Sequence, residues 1–150
     1  MEAYVQLREN DWKHRSHYFG GRYENLYIDR ERIPAIGRML VQAENYATEV
    51  TRSSGKKLRS GFWINDMGPG EETSEHDHDE YDEMLSGVYY VKVPKDSGEL
   101  VIIDKHSRTL LTPQAGMFVF FAPDVLHAVN KNLSGERRIS IGMNFGPPLK

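Results

Sequence analysis

The strongest constraint on the fold is a series of short apolar segments that begins near Leu58, with turn residues between them at nearly even spacing. The segments are rich in β-branched and aromatic residues, which is typical of strands. No helical pattern lies between them, so a parallel doubly wound sheet is excluded and an antiparallel sandwich or barrel is predicted. The predicted strands cover residues 58–65, 84–93, 100–104, 108–112, 117–121, 125–130 and 137–145.

One helix is predicted before the barrel. Between residues 32 and 51, apolar side chains recur at steps of three and four, which places them on one helical face. The polar run at 52–57 is predicted to be a loop, and the first thirty residues, which lack periodicity, are expected to cover the barrel. With 150 residues, 39% of them apolar, we expect one domain: a helical and covering segment over 1–57 and a barrel over 58–146.

Charge and composition restrict the partners. Nineteen basic and 22 acidic side chains give a net charge of -3, so no broad cationic surface for nucleic acid is expected. The sequence contains no cysteine, and a metal would therefore need imidazole and oxygen ligands. No apolar run is long enough to span a bilayer, and no basic stretch leads into an apolar run at the N-terminus. We expect a cytoplasmic protein without a membrane partner.

Histidines supply the first candidate site. His76 and His78 stand two positions apart in an extended acidic stretch, so both imidazoles project to the same side. His127 enters a late strand, which in a barrel can run beside an early one and bring a third imidazole to the same opening. Three such groups would bind iron, zinc, copper or nickel and leave coordination positions open. The alternatives are a solvated acidic loop and a packed His127.

The last predicted strand carries a second candidate site. Strand alternation puts Arg138 and Ser140 on a small, polar face, and Arg137 on the opposite face as a surface residue. A guanidinium that faces the barrel interior is suited to bidentate binding of a carboxylate. Of Tyr89 and Tyr90, which face opposite ways, one is expected in the core. Asn65 is expected in the cavity.

These motifs together resemble a known family. The order is His76-Asp77-His78, Ser86-Gly87-Val88-Tyr89-Tyr90, Ser97-Gly98-Glu99-Leu100, Pro113-Gln114-Ala115-Gly116, Leu126-His127-Ala128-Val129 and Arg138-Ile139-Ser140. It is similar to a small group of iron(II)- and 2-oxoglutarate-dependent oxygenases with the pattern His-x-His-Pro, Ser-Gly-x-Tyr-Tyr and Arg-Ile-Ser. The resemblance extends over about residues 60–146.

The resemblance implies a mainly β double-stranded β-helix, a cupin-like jelly roll, with the predicted helix packed outside. It implies a non-haem iron(II) and 2-oxoglutarate-dependent dioxygenase that oxidises a small-molecule substrate with molecular oxygen. Iron would be held by His76, by His78 or a neighbouring carboxylate, and by His127, while Arg138 would bind the distal carboxylate of 2-oxoglutarate. We expect the other cofactor-binding residues to be Ser140, Asn65 and Tyr89.

The sequence departs from the family pattern in three respects, one of which is a loop from His78 to Ser86 that is about two residues longer than in the family. Asp79 replaces the proline after the second histidine, and because the wider superfamily uses His-x-Asp or His-x-Glu, the carboxylates Asp77, Asp79 and Glu80 stay alternative ligands. Lys105 and His106 replace a Pro-Arg pair, so we transfer no role to them and expect both on the surface.

Two other functions stay open at this level. A cupin-like dioxygenase or isomerase would use the histidines without an oxo acid, and a ligand-binding jelly roll would use them without turnover. A homodimer is also expected, because a small barrel leaves a sheet edge open.

Overall fold

The computed structural model describes residues 1–53, 57–79 and 81–148. Two antiparallel sheets face each other as a jelly roll, as predicted. The larger sheet has the order β1-β2-β3-β10-β5-β8 and the smaller sheet the order β4-β9-β6-β7. The strands are β1 His14–Phe19, β2 Arg22–Tyr27, β3 Arg59–Met67, β4 Thr73–His76, β5 Leu85–Lys92, β6 Leu100–Asp104, β7 Ser107–Leu111, β8 Phe118–Phe121, β9 Leu126–Val129 and β10 Arg138–Gly146.

The predicted helix packs on the outer face of the larger sheet. It is α2, Pro34–Val50, and it follows the short helix α1, Glu2–Val5, and a 3-10 turn at Glu9–Asp11. The buried stripe of α2 meets apolar side chains of the central strands β3 and β10, and this contact forms the core. Among the helices that the structure describes, none is a candidate to cross a membrane. The core residues of the contact include Ile36, Leu40, Ala43, Ala47, Ile64, Ile139, Ile141 and Met143.

The N-terminal segment differs from the expected covering layer. Strands β1 and β2 form a hairpin, and Leu26 pairs with Ile64, so the hairpin extends the larger sheet beyond β3. The hairpin was not predicted because its backbone is irregular: His17, Gly20 and Gly21 all have positive φ. Of the predicted polar loop at 52–57, residues 54–56 lie outside the described part of the chain.

Gly142 leaves room for the indole of Trp63 on the neighbouring strand. A Cβ atom at this position would lie 2.3 Å from Cε2 of Trp63, which stands opposite Gly142 on β3. We therefore expect Gly142→Ala to lower the free energy of unfolding by about 1–3 kcal/mol, because the indole must move. Thermal denaturation measures the loss. Gly61→Ala is the matched control, since a Cβ there meets nothing within 4 Å, and equal melting temperatures for the two variants would contradict the prediction.

Candidate metal and dicarboxylate site

Three histidines meet at one end of the barrel interior. Strands β4 and β9 pair directly, with His76 opposite His127, while His78 follows two residues after β4. The ring centroids lie 4.2 Å apart for His76 and His127, and 5.0 Å apart for each of the other two pairs. The nearest ligand nitrogens of the three rings all lie within 4.8 Å of one another. The backbone N–H of His78 donates to the carbonyl of Pro123 at 2.8 Å, which ties the loop after β4 to the turn before β9.

Hydrogen bonds fix the tautomer of two of these rings. Nδ1 of His76 lies 2.8 Å from the carbonyl oxygen of Ser74, and Nδ1 of His127 lies 2.9 Å from that of Val125. Because a carbonyl only accepts, each Nδ1 must donate, and Nε2 of each neutral ring keeps its lone pair. Backbone carbonyls of this kind typically orient histidine ligands for a metal.

Burial also keeps the imidazoles of His78 and His127 neutral. It lowers the pKa of His78 to about 3, and the charges of His127 and His76 act in the same direction. Burial likewise lowers the pKa of His127 to about 4, with a further contribution from His76 and partial opposition from the Val125 carbonyl. At neutral pH a metal would therefore meet deprotonated rings at His78 and His127, without competition from protons.

These pKa values predict how the metal-free protein responds to acid. Below about pH 6.5 the unfolded chain protonates His78 and His127, whereas the folded chain does not until about pH 3 to 4. The unfolded state then binds more protons, so stability is complete above pH 6.5 and decreases as the pH falls. Between pH 6.5 and 5 each of the two groups contributes about 1.6 kcal/mol, so we expect a loss of about 3 kcal/mol, measured by thermal denaturation.

The control for this effect is His78→Gln, which should show about half the dependence on pH because one of the two titrating groups is gone. An apo-protein melting temperature that stays constant from pH 7.5 to 5 would contradict the prediction.

The acidic neighbours lie outside the cluster. Asp77 and Asp79 are exposed, and the backbone N–H of Asp79 contacts the Asp77 carboxylate at 3.4 Å. Among the described residues, the group close enough to share a metal contains imidazoles only. Glu80, the third alternative, lies outside the described residues. Three imidazoles fit iron, zinc, copper or nickel.

A buried guanidinium occupies the other end of the same cavity. The Arg138 side chain is only 2% exposed, and its guanidinium carbon lies 5.2 Å from the centroid of the Tyr90 ring. Burial lowers the pKa of Arg138 and raises that of the Tyr90 hydroxyl, and each group partly offsets the shift of the other. Within the described part of the chain, Nε of Arg138, the Tyr90 hydroxyl and Oδ1 of Asn65 are buried without a hydrogen-bond partner.

Unpaired buried polar groups are costly, and they commonly indicate a ligand site. Here they line one cavity with a positive charge at its end. A carboxylate there would accept from the two donors, Nε of Arg138 and the Tyr90 hydroxyl, whereas Oδ1 of Asn65 is an acceptor and requires a donor. The cavity is lined by Trp63, Asn65, Thr73, His76, His78, Gly87, Val88, Tyr90, Leu100, Phe121, His127, Val129, Arg138, Ser140 and Gly142.

Most of the predicted site residues lie together in this cavity, but Tyr89 does not. Register explains the difference, because Tyr90 pairs with Ser140 and Tyr89 pairs with Ile141, whose side chain faces α2. The ring centroids of Tyr89 and Phe118 lie 4.6 Å apart, outside the barrel. We therefore replace Tyr89 with Tyr90 in the candidate site. Alternation from Ser86 along β5 could have identified Tyr90, whereas Thr73 carried no recognisable sequence signal.

The surface predictions agree with the structure. Arg137 points away from Arg138, is exposed and binds Asp66 at 2.7 Å. Lys105 and His106 are both exposed in the turn between β6 and β7.

Comparison with solved structures shows the same fold in several proteins. An oxidoreductase of the 2OG-Fe(II) oxygenase family from Burkholderia pseudomallei is 15% identical with a TM-score of 0.67, over 82% of this chain and 62% of that one. A prolyl-4-hydroxylase from Pseudomonas putida is 22% identical with a TM-score of 0.67, over 81% and 71%. The 2-oxoglutarate-dependent epimerase SnoN from nogalamycin biosynthesis is 16% identical with a TM-score of 0.71, over 97% and 70%.

This chain therefore spans less than two thirds of the Burkholderia protein. No curated protein sequence matches it. The family model of the 2OG-Fe(II) oxygenase superfamily matches residues 62–146, which is more than half of the chain and includes both ends of the cavity. The chain belongs to the 2OG-Fe(II) oxygenase superfamily.

Proposed function

We propose that this protein uses iron(II) and 2-oxoglutarate to oxidise a small-molecule substrate with molecular oxygen. In this proposal His76, His78 and His127 hold the iron, and Arg138 binds the distal carboxylate of 2-oxoglutarate. The observation that carries it is one cavity with three clustered imidazoles at one end and a buried, incompletely paired guanidinium at the other.

When bound, iron(II) and 2-oxoglutarate supply the oxidising chemistry together with oxygen. The three imidazoles would hold the iron and would leave further coordination positions available to 2-oxoglutarate and oxygen. Two of them are held by the carbonyls of Ser74 and Val125, which sets the ring orientation before iron arrives. Arg138 offers two parallel donors to a carboxylate, and the Tyr90 hydroxyl beside it adds a third.

The remaining cavity residues position and shield these groups. Asn65 and Ser140, directly opposite each other on β3 and β10, supply polar atoms between the two ends. Trp63 lies 5.2 Å from the His78 ring, where its indole limits the entry of water to the metal.

We further propose that the substrate enters along the hairpin of β1 and β2. A row of aromatic rings leads from the metal end to the hairpin. The ring centroids of Trp63 and Tyr27 lie 6.5 Å apart, and those of Tyr27 and His14 lie 5.5 Å apart. Aromatic side chains provide large contact area at low entropic cost and favour ligands with apolar or ring surfaces. A small molecule with such a surface is the substrate class that this entrance fits.

A second candidate function is an iron-dependent dioxygenase or isomerase that uses no oxo acid. The all-imidazole ligand group favours it, because the described residues contribute no carboxylate to the cluster. That function leaves the buried Arg138 without a partner, which is why we prefer the 2-oxoglutarate-dependent reaction.

The proposal is tested by turnover without a substrate. Iron-loaded protein in air should convert 2-oxoglutarate slowly to succinate, whereas zinc-loaded protein, the matched control, should not. Mass spectrometry of the products measures both. Retention of iron with no succinate formed would exclude the proposed function in favour of the second candidate or of a binding protein without turnover.

Location and oligomeric state remain predictions. We propose a cytoplasmic location, consistent with the absence of cysteine, and a homodimer formed through an open sheet edge. Fractionation of the host cell and light scattering of the purified protein test the two proposals.

A further inference from the structure

Arg22, at the start of β2, has contacts that the proposed function does not explain. Its side chain is 11% exposed. Nη2 lies 3.4 Å from Glu24, 3.1 Å from the carbonyl of Glu72 and 3.3 Å from Oγ1 of Thr73, while Nε lies 3.2 Å from Glu71. Nη1 is buried and has no partner among the described residues. An arginine from the hairpin therefore reaches the strand that carries His76.

The contact with Thr73 determines what the threonine hydroxyl can do. A guanidinium only donates hydrogen bonds, so Oγ1 of Thr73 accepts from Arg22 and its own hydrogen remains available to another acceptor. Thr73 is 5% exposed and lines the barrel cavity. The hydroxyl is thus a buried donor whose orientation Arg22 restricts.

Thr73 lies at the end of the cavity that holds Arg138. It stands three residues before His76 on β4, but a bulge lies between them, and their partners Val129 and His127 are two residues apart, or about 7 Å along a strand. It pairs with Val129, whereas His76 pairs with His127 at the metal end. Arg22 is close enough for its charge to lower the pKa of Arg138, although burial is the larger cause. Arg22 itself is not among the residues that line the cavity, and its charge is paired with Glu24 and Glu71, so it can act on a bound anion through the Thr73 hydroxyl.

We propose that Arg22 is a positioning residue for the distal carboxylate of 2-oxoglutarate: it holds the Thr73 hydroxyl so that this hydroxyl donates to the carboxylate bound by Arg138. The inference rests on the proposed function. It adds two residues, Thr73 and Arg22, to the subsite formed by Arg138, and Arg22 lies outside the family match. The competing explanation is that Arg22 only ties the hairpin to β4.

The test compares two oxo acids under anaerobic conditions. Iron-loaded protein is titrated with 2-oxoglutarate, and with 2-oxobutyrate, which lacks the distal carboxylate. Thr73→Val removes the hydroxyl at nearly constant volume and should weaken 2-oxoglutarate binding about tenfold, the usual range for a hydrogen bond to a charged group. Thr73→Ser should restore it to within about threefold, and binding of 2-oxobutyrate should be the same in all three proteins.

Arg22→Met should also weaken 2-oxoglutarate binding about tenfold, but less than twofold further in the Thr73→Val background, because Arg22 acts through Thr73. Since Arg22→Met leaves Glu24 buried without its partner, the double variant Arg22→Met/Glu24→Gln is measured alongside it. Equal losses for both oxo acids would indicate a structural role, and fully additive losses would exclude action through Thr73. Either result would overturn the inference.

Arg138→Met separates this inference from the proposed function. If wild-type protein binds neither oxo acid, the proposed function fails and the inference fails with it. If Arg138→Met selectively loses 2-oxoglutarate while the Thr73 and Arg22 variants bind it as wild type does, only the positioning role of Arg22 is wrong.

Discussion

His127→Ala is expected to reduce iron(II) affinity by more than 100-fold and to eliminate succinate formation. His127 is buried and lies closest to His76, so its removal leaves two imidazoles that cannot enclose an ion on three sides. Loss of an outer hydrogen-bond partner of a metal ligand already costs about 10–100-fold in affinity, and loss of the ligand itself should cost more. Iron retained after anaerobic desalting is the measurement.

His106→Ala is the matched control for this variant. His106 is exposed in the turn between β6 and β7, so its removal should leave iron retention unchanged. His78→Ala should resemble His127→Ala. If His78→Ala retained iron as wild type does, a carboxylate from the adjacent acidic stretch would have to replace His78 in the ligand set.

Arg138→Met is expected to weaken 2-oxoglutarate binding by at least about 100-fold while iron binding is unchanged. Truncating one partner of a buried charged pair typically costs 2–5 kcal/mol, which corresponds to about 30-fold to several thousandfold. The metal-free variant should be no less stable than wild type, because methionine removes a buried guanidinium whose Nε has no partner in the described chain. Anaerobic titration and thermal denaturation measure the two effects.

Arg137→Met is the neighbouring control. Its side chain lies on the opposite face of the chain and binds Asp66, so 2-oxoglutarate affinity should not change. Equal loss in both variants would mean that net charge, and not the cavity position of Arg138, controls binding.

The sequence was sufficient for the parts of the site that depend on local periodicity. Alternation along β10 correctly separated Arg138 and Ser140 from Arg137, because period two fixes which face a side chain takes. The same rule, applied from the polar Ser86 along β5, would have assigned Tyr90 and not Tyr89 to the cavity face. The pairing of Tyr90 with Ser140 gives this assignment directly.

Contacts between distant segments were not predictable in this way. The hairpin does not show the alternation of a regular strand because His17 has a positive φ of 57°. The imidazole of His17 contacts the Ser16 hydroxyl and the side-chain amide of Asn25 on the neighbouring strand. The contact between Arg22 and Thr73 joins residues 51 positions apart. This contact forms because β2 pairs with β3 and because the two sheets face each other. A short sequence pattern predicts neither of these arrangements.

The central claim is that three imidazoles and Arg138 hold iron and 2-oxoglutarate in a single cavity. Anaerobic titration of the iron-loaded protein with 2-oxoglutarate, followed by visible absorption, tests it most directly. We predict a weak charge-transfer band that saturates at one equivalent, disappears in His127→Ala and is strongly reduced in Arg138→Met. Bound iron with a flat spectrum at saturating 2-oxoglutarate would contradict the account.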